Sequence, residues 1–213
     1  MRVVPNLYPA FERQEVVIHS PRHVRTVAEL TDEELEATAD AWNARTAAAA
    51  EEGFAYVHAL FNEGRAAGSS LAHSHSQLVW MREPPPAVRD EAGHARDVGP
   101  LLADGNLVVA RTGDTVAVVH PAGRLPYETL IASERGDAEL GEALLVLRDV
   151  VRRLRAIEGP LPWNAWLHRE GTSWHIELVP RLSVLAGVEL GAGIYVNTVD
   201  PLDAAAALRA APG

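Results

Sequence analysis

The chain has 213 residues, 47% apolar and 23% charged, which suits one large globular domain or two small ones. A net charge of −10 argues against a broad nucleic-acid surface, and the absence of cysteine excludes disulfides and thiolate metal sites. No apolar run reaches membrane-spanning length and no signal-peptide pattern opens the chain, so a cytoplasmic protein without a membrane partner is expected.

Residues 2–10 suggest a short strand and a proline-bounded loop, and residues 15–20 a second strand ended by Ser20-Pro21. Thr31 and Glu34 have the spacing of a capping box. An alanine-rich helix should follow to about residue 52, stopped by Gly53, with Leu35, Ala39 and Trp42 on its apolar side. Residues 54–61 read as a strand, and Asn62-Glu63-Gly64 turns the chain into a small-residue loop.

Out of that loop runs Ala72-His73-Ser74-His75-Ser76-Gln77, followed by apolar Leu78-Val79-Trp80. On a strand, side chains alternate, so His73, His75 and Gln77 should share one face and Ser74 and Ser76 the other. Three readings compete. A His-X-His pair can hold a metal, one imidazole can attack phosphorus, or the histidines can simply pack. The flanking glycines and serines, whose backbone N–H groups can meet an anion, weaken the packing reading.

Residues 82–106 are rich in proline, glycine and charge and read as a linker, from which Asp90, Glu91 and His94 could still reach a site. A hairpin is expected over residues 107–119, a strand over 127–131 and a helix from about residue 137 to 158 with Leu140, Leu144, Leu147, Val151 and Leu154 on one stripe. Strands follow at 163–167 and 174–180, joined by a charged turn, His168-Arg169-Glu170-Gly171. Asp200-Pro201 has N-cap and first-turn form for a final helix. His19, His58 and His120 read as packing or surface histidines, and Trp80, Trp163, Trp166 and Trp174 as core.

The two halves share one plan of strand, long helix, strand, turn, strand. Glu15-Val-Val-Ile18 matches Glu128-Thr-Leu-Ile131, Glu63-Gly64 matches Glu170-Gly171, and His75-Ser-Gln77-Leu-Val matches His175-Ile-Glu177-Leu-Val. Three matches in order favour duplication. The second copy has Ser173 for His73 and Glu177 for Gln77, so one active and one degenerate site are expected. The division is residues 1–81 as the active repeat, 82–106 as linker and 107–213 as the degenerate repeat. The fold class is α+β, two tandem halves of antiparallel sheet each flanked by a long helix.

The stretch from Asn62 to Gln77 resembles the active-site segment of the galactose-1-phosphate uridylyltransferases, the transferase branch of the histidine-triad superfamily, whose motif is His-Pro-His-X-Gln. Residues 2–10, Ser20-Pro-Arg-His23, Pro126-Tyr-Glu128, residues 174–181, residues 186–191 and Asn197 with Asp200-Pro201 are similar to that family too. The resemblance implies ping-pong nucleotidyl transfer between a nucleotide sugar and a sugar 1-phosphate. His75 would be the nucleophile, with His73 beside it, Gln77 and Ser70 on the nonbridging oxygens and Asn62 orienting the loop. Asn6, Leu7 and Tyr8 would meet the base and ribose, Glu189 the sugar, and Arg181 a phosphate. A homodimer is implied.

The departures carry information. The family usually starts upstream with further strands and a Cys-X-X-Cys, whereas here the chain begins at Met1 inside the first repeat. The family's zinc uses those cysteines with the residues aligned to His23 and His73. Two histidines alone make a weak zinc site, so no zinc or a replaced ligand set is expected there. Ser74 replaces the motif proline and Leu7 an expected polar base contact, which opens an ADP-sugar or dinucleoside-polyphosphate phosphorylase, or a non-catalytic nucleotide-binding homologue, as alternatives. A second metal, zinc or iron, would by position use Glu91, His168, His175 and Glu177.

Overall fold

A computed structural model describes residues 1–93, 99–133, 139–171 and 173–213. The first half comprises β1 (Arg2–Pro5), β2 (Arg13–Ile18), α1 (Asp32–Glu51), β3 (Tyr56–Glu63) and β4 (His75–Met81). Two short helices follow, α2 (Pro86–Gly93) and α3 (Gly99–Ala103). The rest is β5 (Val108–Thr112), β6 (Thr115–Val119), β7 (Thr129–Ser133), α4 (Leu140–Glu158), β8 (Trp163–Glu170), β9 (Ser173–Pro180), α5 (Gly187–Ala192) and α6 (Pro201–Ala210). The fold is α+β, as its sequence indicates.

The half-sheets are not separate. The nine strands of the described residues form one antiparallel sheet in the order β1-β2-β4-β3-β8-β9-β7-β6-β5. The join is β3 against β8, where Asn62 pairs with Asn164 and Leu60 with Trp166. Around it the order β2-β4-β3 is mirrored by β8-β9-β7, the arrangement a duplicated unit would give.

One face of the sheet carries α1, α4 and the main core. Leu35, Ala39 and Trp42 of α1 and the predicted stripe of α4 are buried there with Phe61, Trp80, Trp163 and Ile176. Each large apolar side chain removed from water contributes on the order of 2 kcal/mol, so this layer supplies most of the driving force. Thr31 caps α1 as its spacing suggests, its hydroxyl accepting from the Glu34 N–H while the Glu34 carboxylate accepts from the Thr31 N–H. Asp200 caps α6 by a single bond, accepting from the Leu202 N–H.

The opposite face is unevenly covered. Over the second half, α3 closes a small core of Leu102, Val116, Val118 and Leu130, and α2 brings Glu91 against β8. These helices lie in the stretch that composition marks as a linker; His94 lies outside the described residues. Over the first half the same face carries half-buried Val16, Ile18, Leu60 and Gln77 around His75. Among the described residues no helix is long and apolar enough to cross a membrane.

Candidate active site

β4 begins at His75, two residues later than alternation suggests. Ser74 is tied instead to the preceding loop, its N–H donating to the Val24 carbonyl at 2.8 Å. His73 therefore leaves the strand. Its Nε2 lies 2.9 Å from the Arg22 carbonyl and its Nδ1 3.1 Å from that of Ser74. His75 and Gln77 keep one face, as expected. Ser74 and Ser76 point to the other, where their hydroxyls lie 2.9 and 3.0 Å from the two ring nitrogens of His19. Trp42 donates its indole N–H to the Ser76 hydroxyl as well. His19 is fully buried, and burial with the nearby His75 and His73 pushes its pKa down to about 3. His19 is thus a packing histidine, but one that braces both neighbours of His75.

The His75 ring is 7% exposed, with Nδ1 2.8 Å from the His73 carbonyl. A carbonyl only accepts, so Nδ1 carries the proton and Nε2 keeps its lone pair. The ring lines a cavity of only about 20 Å³, shared with His73, Asn62, Gly64 and Ser69. Gln77 is oriented by Gln14, which donates its Nε2–H to the Gln77 carbonyl oxygen at 2.6 Å and leaves the Gln77 amide hydrogens to donate elsewhere. Gln14 also fixes the β1–β2 loop, its carbonyl accepting from the Asn6 N–H at 2.8 Å. The Asn6 side chain in turn accepts from the Tyr8 N–H at 3.0 Å. Leu7 and Tyr8 stand 80% and 85% exposed. Asn62 accepts from Asn164 at 2.7 Å, and Asn164 also donates to the Ala67 carbonyl at 2.8 Å, so the second half steadies the first half's loop.

Other predicted residues stand apart. Ser70 lies on the rim of a larger cleft of about 950 Å³ beside the His75 cavity. The Arg181 backbone N–H donates to the Pro162 carbonyl at 2.8 Å, which places the residue near that cleft. Glu189 caps its own short helix by accepting from the Ala186 N–H at 2.9 Å and lines neither cavity. His23 and His73 meet edge to face with centroids 5.9 Å apart, and no third histidine or carboxylate joins them among the described residues.

The second cluster is assembled as its sequence positions suggest. Ligand atoms of Glu91, His168, His175 and Glu177 all lie within 4.8 Å of one another. The charged turn expected at residues 168–171 is mostly strand: β8 runs through Glu170, which sets His168 directly opposite His175. Continued alternation after the inward Leu167 turns His168 to the cluster. His168 Nδ1 lies 2.9 Å from Glu91. Burial, partly offset by Glu91, holds the His168 pKa below the ordinary imidazole value, which favours the neutral ligand form. For Glu177 burial opposes ionisation, but contact with His175 and the charge of Arg124 outweigh it and hold the carboxyl at about 2. His175 Nε2 is buried with no hydrogen-bond partner, its nearest carboxylate oxygens being at 3.6 and 3.7 Å. An orphaned imidazole nitrogen between two carboxylates is what a divalent cation would satisfy, so the residues could hold a metal ion.

Residues 9–85 match the family model described as galactose-1-phosphate uridyl transferase, N-terminal domain. That match covers the stretch that carries His73, His75 and Gln77. A relative, ADP-glucose phosphorylase of Arabidopsis thaliana, is 25% identical over 262 residues, spanning 98% of this chain and 74% of that protein. A solved uridylyltransferase superposes with a TM-score of 0.87 at 23% identity, over 98% of this chain and 83% of its own. The structure of an A. thaliana ADP-glucose phosphorylase with bound ADP-glucose gives 0.87 at 23% identity, over 100% and 82%. These superpositions show a shared fold.

Several residues escaped the sequence reading. Gln14 and Asn164 act through side-chain hydrogen bonds to residues far away in the sequence, and no local pattern marks them. Trp166 and His58, read as packing residues, line a cavity of about 610 Å³ with Arg124 and the Glu91 cluster. The only available signal for Trp166 was its alternation with His168.

Proposed function

We propose that the protein transfers a nucleoside monophosphate between a nucleotide sugar and a phosphate acceptor through a nucleotidyl-His75 intermediate. The observation that carries this is the His75 ring itself, with Nδ1 spent on the His73 carbonyl and Nε2 free. In the first step the Nε2 lone pair forms a bond to the α-phosphorus, and the α–β bridging P–O bond breaks to release sugar 1-phosphate. The ring keeps its Nδ1 proton and becomes cationic, and the His73 carbonyl stabilises that charge. In the second step an acceptor phosphate oxygen attacks phosphorus, the N–P bond breaks and neutral His75 returns. Gln77 and Ser70 would donate to the nonbridging oxygens, and Asn62 would set the loop. Asn6, Leu7 and Tyr8 would border the nucleoside.

A sugar 1-phosphate acceptor gives a uridylyltransferase, as with UDP-glucose and hexose 1-phosphate. Inorganic phosphate gives a phosphorylase of an ADP-sugar, and the identity to ADP-glucose phosphorylase over nearly the whole chain supports that second reading. A divalent ion held by Glu91, His168, His175 and Glu177 would supply the charge that locks α2, β8 and β9 together. Exposed Val184, Val188, Leu190, Ile194 and Val196 flank Glu189. Their burial by a second copy would make the expected homodimer and could carry Glu189 to a sugar, and sedimentation velocity tests this directly.

The decisive assay uses UDP-glucose and ADP-glucose, each labelled in the α-phosphate. An acid-labile label should appear on His75 with one of them, and chase with phosphate or hexose 1-phosphate should release it. A His75→Gly protein that still takes label would end this proposal.

A further inference from the structure

The cleft of about 950 Å³ beside His75 is unusual in its charge. In a chain of net charge −10, many arginines are paired with carboxylates: Arg22 with Glu34, Arg45 with Glu15, Arg124 with Glu128 and Glu177, Arg148 with Asp32. Arg25, Arg65 and Arg155 all line this one cleft, and among the described residues none of the three forms an ion pair. Two carboxylates also line it. Glu63 is spent internally, accepting from Thr26, the Val27 N–H and the Trp163 indole, while Glu29 is exposed. The balance is positive, and a concave positive wall concentrates anions.

Its construction is equally specific. Arg25 and Arg65 come from the first half and Arg155 from the end of α4, so the wall exists only where the halves meet. The loop between them is pinned at Gly64, whose φ is +84° and where an added Cβ would stand 2.9 Å from the Pro162 Cβ. Only glycine suits that conformation and that approach. Arg25, Glu63, Gly64, Ser69 and Leu71 line both this cleft and the small cavity holding the His75 ring. An anion in the cleft is therefore next to the proposed reacting phosphorus.

We propose that this cleft is the acceptor site, binding a phosphate dianion through Arg25, Arg65 and Arg155. The inference rests on the reading of His75 as nucleophile. Planar guanidinium groups pair bidentately with phosphate oxygens, and the volume admits a sugar phosphate as readily as free phosphate.

The test separates the two half-reactions. Wild type, the Arg65→Gln/Arg155→Gln variant and an Arg89→Gln control are loaded with label from the competent nucleotide sugar. Each is then chased with inorganic phosphate in one arm and glucose 1-phosphate in the other. The double variant should still take label, while its half-saturating acceptor concentration rises about tenfold or more in at least one arm and that of the control does not. The arm that moves identifies the acceptor. Labelled double variant with unchanged half-saturation in both arms overturns the proposal. Wild type that takes no label refutes the transferase reading instead. The cleft is then judged by calorimetric titration with each phosphate, where binding by wild type that the double variant loses supports it, and equal or absent binding overturns it.

Discussion

The two halves place a histidine at the same point of the same strand, yet surround it with opposite chemistry. Around His75 stand the neutral amides of Gln77, Gln14 and Asn62. Around His175 stand the carboxylates of Glu91 and Glu177. Paired strands put Gln77, Leu60, Trp166 and Glu177 in one row across the continuous sheet. Three strand spacings separate Gln77 from Glu177, roughly 14 Å. Amides donate to phosphate oxygens without a charge cost, whereas carboxylates repel phosphate and attract a cation. On the proposed function, one scaffold carries an anion site and a cation site, and the change of amide to acid at the same strand position distinguishes them.

The sharpest way to break the comparison is to remove each histidine. His75→Gly should lower transfer by about a thousandfold or more, the usual cost of losing a nucleophile. His175→Ala should still take label on His75 while losing a bound divalent metal, read by metal content after dialysis. The reverse pattern would exchange the roles of the two halves.

Swapping the flanking residues should come next in size. Gln77→Glu sets a carboxylate against the phosphates and should slow labelling about a hundredfold, an electrostatic penalty of about 3 kcal/mol. Glu177→Gln should weaken zinc binding about tenfold to a hundredfold, measured by competition with a chelator, and barely alter the rate of labelling.

Behind the sheet the halves differ again. Ser74 and Ser76 back His75 and bond to His19, whereas Trp174 and Ile176 back the equivalent strand with apolar packing. The folded His19 pKa, about 3, lies below the ordinary value near 6.5. The unfolded chain therefore binds more protons between those values. His19 lowers stability as pH falls from about 6.5 towards 3, by an amount on the order of a few kcal/mol. His19→Phe should be less stable than wild type at pH 7 by about 1–3 kcal/mol, because two buried hydroxyls lose their partner. That gap should close towards pH 4 in urea titrations, the residual slope owing partly to His58, whose pKa burial pushes down to about 4. A gap that stays constant with pH would show that His19 is not held neutral.

The smallest contrast lies in the helices. Thr31 caps α1 through a complete box, whereas Glu139 gives α4 no side-chain cap. Thr31→Ala should cost about 1 kcal/mol in urea unfolding, and Glu139→Ala close to nothing.

Much of this was legible in the residues. The stripe from Leu140 to Leu154 and the Thr31–Glu34 box were local signals with 3.6-residue and three-residue spacing, and both formed where expected. The Glu91, His168, His175, Glu177 set was reached through family resemblance, and the fold brings it together. The bend at His73 was not legible, because alternation cannot show that the Ser74 backbone is taken by Val24. Nor was the brace of His19, a residue with no local pattern and 55 positions from Ser74.

The sequence alone set what each half could be: alternation, capping and helical periodicity are short-range, so the residues that obey them also announce them. Tertiary structure alone decided that two half-sheets fuse through β3 and β8, that Asn164 steadies the loop of the other half and that three unpaired arginines face one cleft. Those contacts join positions about a hundred residues apart, and backbone pairing at a sheet edge reads geometry and hydrogen-bond valence, which no local spacing encodes.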